Sequence, residues 1–203
     1  MKQKIIISCF DVSCNFVQPW AAAGYLCYCV DLQHRLGENK EGNIIKVGTD
    51  ISHWMPPKGD ISLAAFFPPC THLAVSGAKW FKGKGLFLLA ESIKLFAHSI
   101  RLAEFIEAPY FIENPVSTIS TYWRKSDFKF DPCDFGGYLN PPGDKYLKET
   151  HLWVGNNFIM PRFKPVFAEE GMKLFKLPPS DERSNLRSTT PIGFSRAVFE
   201  YNK

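Results

Sequence analysis

The sequence has no cysteine pair at the spacing of a metal ribbon and no pattern of a disulfide framework. Its six cysteines are spread over 203 residues without a CxxC pair, and most stand in apolar segments typical of strands. We therefore interpret them as reduced thiols, the usual state in a cytoplasmic protein. The five histidines form no HxxxH pattern and no cluster with cysteine, so no metal site is predicted.

Long hydrophobic runs are also missing. The first apolar stretch is ended by Asp11, which is too early for a signal peptide. The longest apolar helical pattern, Leu86–Glu107, is interrupted by charged residues such as Glu91 and Arg101 and does not predict a membrane span. A net charge of +4 does not require a general polyanion-binding surface, and a local basic patch stays open. We expect a cytoplasmic protein without a membrane partner.

What the chain does have is a high apolar content with many aromatic rings and prolines. Hydrophobic residues make up 45% of the sequence, with 18 phenylalanines and 15 prolines. A chain of this length can bury one large core. We therefore predict a single domain over residues 1–203, with an aromatic-rich core or pocket and stiff loops.

Short apolar segments alternate with helical patterns, which is typical of an α/β fold with a mostly parallel sheet. The predicted strands are Lys4–Phe10, Tyr25–Val30, Ile44–Val47, Ile61–Phe67, Pro109–Ile112 and Thr150–Val154, the last with Phe158–Met160 as a hairpin partner. The predicted helices are Phe16–Ala23, Leu86–Glu107 and Pro191–Asn202, and residues 161–190 are predicted to be mostly loop.

Four strands deliver a chemically active side chain where they end, namely Asp31, Asp50, Cys70 and Glu113. Ligands of open α/β sheets bind along this carboxyl edge. Pro69 stiffens the backbone that carries Cys70. Asp31 stands about 20 residues beyond the first turn, where an acid can bind a ribose hydroxyl.

Each of these residues also has an ordinary structural interpretation. Alone, Cys70 is a small buried hydrophobe, and Glu113 is a capping or surface carboxylate. Asp31 alone is a solvated acid, and Asp50 is a turn former. Their joint occurrence in this order favours an enzyme.

The ordered strand ends resemble the cytosine-5 DNA methyltransferases. Pro69-Cys70 matches the Pro-Cys motif of that family, and Glu113-Asn114-Pro115 stands where the family has Glu-Asn-Val. The likeness is closer to small phage-type members that lack a large target-recognition domain. It extends through Phe10-Asp11, Pro19-Trp20, Ala23-Gly24-Tyr25, Asp31-Leu32-Gln33-His34, Gly136-Gly137-Tyr138 and Leu152-Trp153-Val154-Gly155-Asn156.

The resemblance implies a Rossmann-like S-adenosylmethionine-dependent methyltransferase fold in a bacterial or phage-infected cell. Its activity would be methyl transfer to carbon-5 of cytosine in DNA, with Cys70 as the nucleophile and Glu113 and Asn114 as its partners. Cofactor contacts with S-adenosylmethionine are assigned to Phe10, Asp11, Ser13, Asn15, Asp31, Leu32, Asp50, Ile51 and Pro68. Substrate contacts are assigned to Pro69, Ser76, Lys148 and Thr150, and to Arg124 from a basic stretch that is either a solvated face or a phosphate contact.

Three departures from the family pattern keep two alternatives open. Val12 and Cys14 replace glycines of the first motif, and the Gln-x-Arg-x-Arg motif is replaced around Lys148-Glu149-Thr150. Residues 156–190 form only a reduced loop region in place of a recognition domain. The alternatives are the same reaction on a free cytosine nucleotide, CMP or dCMP, and a catalytically weak relative that binds DNA or a host protein.

Overall fold

A seven-stranded, mostly parallel sheet forms the centre of the chain, in the order β3-β2-β1-β4-β5-β7-β6. The computed structural model describes residues 3–74 and 81–203. The strands are β1 Lys4–Cys9, β2 Leu26–Glu41, β3 Ile44–Gly48, β4 Asp60–Phe66, β5 Tyr110–Pro115, β6 Phe128–Phe130 and β7 Thr150–Gly155. The helices are α1 Gln18–Ala22, α2 Phe81–Ile106, α3 Ile119–Tyr122, α4 Arg183–Ser188 and α5 Ile192–Asn202. The predicted α/β class is confirmed.

Alternation along the strands divides the apolar side chains between two cores, because successive side chains of a strand point to opposite faces. One core contains Ile6 and Leu152 and is covered by α1 and α5. The other contains Ile7 and Trp153 and is covered by α2. Both faces of the sheet are therefore buried, which explains why its central strands are almost entirely apolar.

The direction in which the chain adds strands reverses between β1 and β4. From β1 the chain proceeds outward through β2 to β3, and then returns to place β4 and β5 on the other side of β1. β1 pairs in parallel with both β2 and β4. A crevice opens at such a reversal, outside the carboxyl ends of the strands. The loops after β1 and β4 both begin at this crevice.

The second strand is much longer than the predicted Tyr25–Val30. Its first part pairs in parallel with β3, and its last part, from Leu36 to Glu41, turns back and pairs with β3 in antiparallel fashion. Gly42, with a φ of 59°, makes the return turn. Asp31 therefore lies within β2 and not at its end. The charged return strand is an exposed edge, and no apolar pattern marks it in the sequence.

The final strands also differ from prediction. Phe128–Phe130 forms β6, so the predicted sixth strand is the seventh. The proposed hairpin partner Phe158–Met160 is wrong, because Asn156 and Asn157 have φ values of 51° and 64° and turn the chain out of the sheet. Phe158 instead packs in the core beneath α5.

The packing beneath α5 predicts that Phe194 contributes strongly to the stability of the fold. This ring is 1% exposed and stacks on Phe130 with 4.5 Å between the ring centroids. Phe194→Ala should lower the free energy of unfolding by about 3–5 kcal/mol, because it removes a large buried ring and leaves a cavity. Ile192→Ala, two residues earlier and 45% exposed, is the matched control, with an expected change of about 0.5 kcal/mol or less. Urea denaturation of both variants measures the difference, and equal losses would contradict this view of the core.

Candidate active site

Cys70 lies on a tight turn four residues beyond β4. Its carbonyl accepts backbone hydrogen bonds from Leu73 and Ala74, each 2.9 Å long. Pro68 before it is buried and Pro69 is exposed. Cys70 is partly exposed, whereas the other five cysteines of the chain are buried. It is therefore the most solvent-accessible of the six cysteines.

β5 holds the Cys70 turn in place through Asn114. The Asn114 side chain is fully buried, and its Nδ2 donates a 2.9 Å hydrogen bond to the carbonyl of Pro68. Just after the strand, the Thr118 N–H donates to the Leu73 carbonyl over 3.1 Å. The two bonds fix the turn on both sides of the thiol.

Glu113 and Lys148 form an ion pair next to this turn. The distance from Lys148 Nζ to Glu113 Oε1 is 3.6 Å, and the two side chains are only 18% and 15% exposed. The Lys148 N–H donates to Asp131 over 2.6 Å, and its carbonyl accepts the Thr150 hydroxyl over 2.7 Å. Glu113 lies inside β5, two residues before the end of the strand, and not just beyond it.

A small cavity adjoins the ion pair. Its lining is Phe67, Glu113, Phe130, Lys148, Thr150, Ser188, Thr190, Pro191 and Phe194. The volume of about 10 Å³ is about that of one water-sized sphere. The site thus combines aromatic walls with a carboxylate, an ammonium group and hydroxyls, but it does not admit a nucleobase in this conformation.

Opposing influences set the pKa of the Cys70 thiol. Burial raises it most, and the negative charge of Glu113 raises it further, whereas Lys148 and Arg187 lower it. Arg187 belongs to α4 and was not among the predicted site residues. The pKa of the thiol stays raised overall, so the two cations only partly offset burial and the carboxylate in favour of the thiolate, which is the nucleophilic form of cysteine.

The loop after β1 lies on the other side of the crevice and contains a buried carboxylate. Asp11 is 4% exposed, and its two oxygens accept hydrogen bonds from the hydroxyls of Ser8 and Ser13, both 2.8 Å long. Burial raises the Asp11 pKa although both hydroxyls lower it. Phe10 and Cys14 in the same loop have φ values of 61° and 55°, a region that favours glycine. Asn15 completes the loop, and its N–H donates to Ser13 Oγ over 3.2 Å.

The predicted ribose contact lies where the parallel part of β2 ends, and the predicted adenine contact lies just after β3. Asp31 Oδ1 accepts the Gln33 N–H over 2.8 Å, and Oδ2 has no hydrogen-bond partner in the described part of the chain. Leu32 is 74% exposed and Ile51 is buried. Asp50 is exposed, and the hydrogen bond from the Ser52 N–H to its Oδ1 lowers the Asp50 pKa.

One predicted substrate residue, Arg124, is not brought to the site. Arg124 pairs with Asp127 at 2.7 Å and donates to the Val154 carbonyl. Val154 lies opposite Phe111, near the amino end of β5, so Arg124 is distant from the Cys70 turn. Ser76 lies outside the described residues.

The cavity residues contributed by the C-terminal segment are absent from the prediction. Ser188, Thr190 and Pro191 stand more than 70 positions after Glu113 in the sequence. The predicted loop at residues 161–190 has no apolar periodicity, and a loop without periodicity cannot be placed against a sheet from sequence alone. Only the start of the closing helix near Pro191 was recognisable.

Comparisons with known proteins add no family to this geometry, since no family model and no curated protein matches the sequence. Within residues 3–74 and 81–203, no group of three His, Cys, Asp or Glu side chains could hold a metal ion, and no helix there is long and apolar enough to cross a membrane.

The charges around Cys70 predict opposite effects of two variants on its reactivity. Glu113→Gln should lower the thiol pKa, because it removes a negative charge, and Lys148→Gln should raise it. The rate of iodoacetamide alkylation of Cys70, followed against pH by peptide mass, should therefore reach its midpoint at lower and higher pH, respectively. Lys125→Gln, an exposed change after α3, is the control. Midpoints that move in the same direction in both variants would show that the pair does not act on the thiol through its charge.

Asp11 predicts a pH dependence of stability. Because its pKa is raised in the folded state, the folded protein binds more protons than the unfolded chain between about pH 4 and the folded pKa. Asp11 therefore costs stability as the pH rises through that window. Asp11→Asn should unfold at a higher temperature than wild type at pH 7 and show a smaller difference at pH 4. Thermal unfolding at both pH values measures this, and a difference that grows toward low pH would have the wrong sign.

Proposed function

We propose that this protein is an S-adenosylmethionine-dependent methyltransferase that acts on carbon-5 of cytosine in DNA through a covalent adduct on Cys70. The observation that carries the proposal is the Cys70 turn, held by Asn114 and flanked by the Glu113–Lys148 pair. A partly exposed thiol beside a carboxylate and an ammonium group is equipped to add to a polar ring. The ordered motifs shared with cytosine-5 methyltransferases point to the same reaction.

The sheet supports this proposal through its topology. The order β3-β2-β1-β4-β5 is the doubly wound arrangement, which binds nucleotide-type ligands at the reversal between β1 and β4. The loop with Asp11 and the Cys70 turn leave the sheet at that reversal. A cofactor bound at the loops that follow β1 and β2 would then lie next to a base bound at the carboxyl ends of β4 and β5.

Cys70 overcomes the weak nucleophilicity of carbon-5. Its thiolate would donate an electron pair to carbon-6, and the electrons of the carbon-5–carbon-6 double bond would make carbon-5 nucleophilic. Carbon-5 would then take the methyl group that S-adenosylmethionine supplies, while the methyl–sulfur bond of the cofactor breaks and its sulfonium becomes a neutral thioether. The carbon-5 proton is then lost to a base, the double bond re-forms, and the thiolate leaves. The hydrogen bond from Asn114 to the Pro68 carbonyl holds the thiol in one position while it adds to the ring and later leaves it.

Glu113 and Lys148 match the polar edge of cytosine. That edge presents an amino group as a donor and the ring nitrogen and carbonyl as acceptors. The Glu113 carboxylate would accept a hydrogen bond from the amino group and, when protonated, would donate to nitrogen-3, and the Lys148 ammonium would donate to the carbonyl. The negative charge that the thiolate brings to the ring is then balanced by the nearby cation.

The residues of the cofactor side fit S-adenosylmethionine, which supplies the methyl group when bound. Asp31 Oδ2 is available for a ribose hydroxyl, and the exposed Leu32 side chain offers an apolar surface to the adenine. Cys14 adopts the glycine-like φ of 55°, and its Sγ lies 4.0 Å from His34 Nε2 on β2. The loop therefore has the backbone shape that the family obtains with glycine, with the thiol packed toward β2.

A free cytosine nucleotide is the second candidate substrate, and one observation favours it. Arg124, the residue expected to contact a DNA phosphate, is bound to Asp127 away from the site. Duplex binding relies on several such phosphate contacts, and a flipped base adds a cost of a few kcal/mol. A mononucleotide needs neither.

Trapping with 5-fluorocytosine tests the function and separates the substrates. Fluorine at carbon-5 cannot leave as a proton, so methylated adduct should accumulate on Cys70 in the presence of S-adenosylmethionine. We expect adduct with a duplex oligonucleotide containing the analogue, and none with Cys70→Ser. The Cys133→Ser variant, which removes a buried thiol, is the control and should still form adduct.

The pattern of adducts decides between the readings. Adduct with the 5-fluoro mononucleotide alone would replace DNA by the nucleotide as substrate. DNA binding without adduct on any substrate would favour the catalytically weak relative. An adduct that maps to Cys14 or Cys133 would refute the assignment of the nucleophile.

A further inference from the structure

The short helix α4 lies across the carboxyl edge of the sheet and reaches both halves of the site. Near its start, Asn185 exchanges two hydrogen bonds with Gln33, two residues after Asp31, at 3.0 and 3.3 Å. At its end, Ser188 lines the cavity with Glu113. Six residues thus extend from the proposed ribose acid to the proposed base pocket.

α4 is only weakly attached to the rest of the protein. None of its residues is buried, and no side chain caps its N-terminus. Apart from the amide pair, Arg183 donates a 3.5 Å hydrogen bond to the Phe175 carbonyl, and Arg187 lies over the Phe175 ring at 5.1 Å. Phe175 is itself 46% exposed. Immediately after α4, Thr190 and Pro191 are buried and α5 is anchored in the core. An element with few buried contacts opens at low free-energy cost.

The base pocket requires this helix to move. The cavity beside Glu113 has a volume of about 10 Å³, which is far less than a pyrimidine ring occupies. Glu113, Phe130 and Thr150 in the lining belong to β5, β6 and β7 of the sheet, whereas Ser188 is the last residue of α4 and Thr190 follows it by two residues. Space for a base can open with the least loss of packing on the α4 side.

We propose that α4 is a lid over the base pocket, latched in the closed position by the Gln33–Asn185 amide pair. Its opening admits the base, and its closing excludes water and returns Arg187 toward Cys70. The base as the entering group rests on the proposed function, whereas the movement of the lid does not. The latch joins the lid to the strand that carries Asp31, so the two halves of the site would sense one another through it.

Charges introduced at the latch test the lid without any substrate. Gln33→Glu with Asn185→Asp places two negative charges together and should open the lid, whereas Gln33→Lys with Asn185→Asp should hold it closed. Because exposed charge pairs contribute about 0.2–1 kcal/mol, we expect N-ethylmaleimide alkylation of Cys70 to become about threefold faster and threefold slower, respectively. Both changes should shrink at high salt.

The design separates lid opening from a direct effect on the thiol. Two added carboxylates raise the pKa of a nearby thiol and would slow alkylation, which is opposite to the acceleration expected from opening. Ser184→Asp alone, an exposed change on α4 that adds a carboxylate but leaves the Gln33–Asn185 pair intact, is the control and should alkylate at about the wild-type rate. Rates unchanged in both latch variants, or slower with the repelling pair, would overturn the lid.

Trapping on 5-fluorocytosine distinguishes this failure from failure of the proposed function. If alkylation follows the latch but no substrate forms an adduct, the lid stands and the methyltransferase proposal falls. If wild type forms the adduct and the latch variants form it at the same rate, the lid alone is refuted. We expect the adduct to form more slowly with the attracting pair than with wild type.

Discussion

The buried hydrogen bond from Asn114 to the Pro68 carbonyl is the contact on which the site depends. It joins two strands at a level where their own pairing has ended, since β4 and β5 pair only as far as Phe66 and Ile112. The prolines in the Cys70 turn cannot donate backbone hydrogen bonds, so the turn must be fixed through its carbonyls. Loss of the donor would leave a buried carbonyl unsatisfied, at a cost of about 1–3 kcal/mol. The position of the thiol is thus built into the fold.

Burial of charged side chains along the carboxyl edge of the sheet lowers the stability of the folded state. Asp11 is buried with two hydroxyl partners and no cation, and Glu113 and Lys148 are mostly shielded from water. Apolar residues of similar volume would cost less at these positions, because an ion pair rarely recovers its desolvation energy. Such side chains, gathered at the reversal of strand order, are typical of a site kept for binding or chemistry.

The sequence could predict those parts of the structure that are governed by short-range pattern. Apolar strands, the long amphipathic helix and polar residues at the carboxyl edge all follow from periodicity, and Asp11, Asp31, Cys70 and Glu113 do lie along that edge. The return strand from Leu36 to Glu41 was not predictable, because an exposed edge strand is charged and needs no apolar alternation. β6 is too short for a period to appear.

Residues whose positions depend on contacts between distant parts of the sequence could not be predicted either. The neighbouring lysines favoured a phosphate-binding role for Arg124. In the structure its guanidinium forms an ion pair with Asp127, three residues later. Arg187 and Asn185 lie in a stretch without pattern, and only the path of α5 across the sheet brings them to Cys70 and Gln33. Ion pairs and loop positions are decided by tertiary geometry, which composition does not encode.

The side chains held by the sheet and the weakly attached residues near the cavity come from different parts of the chain. The thiol, its carboxylate and the cofactor-side acids come from the sheet and its first loops, where both faces are buried and little can shift. Ser188 and Thr190, which line the cavity beside Glu113, come from residues 183–190, of which only Thr190 at the end is buried. On the proposed function, a chain with only a reduced loop region at residues 156–190 needs a way to enclose its substrate. The proposed lid, a short helix near the end of that region joined to β2 by one amide pair, would enclose it without a second core.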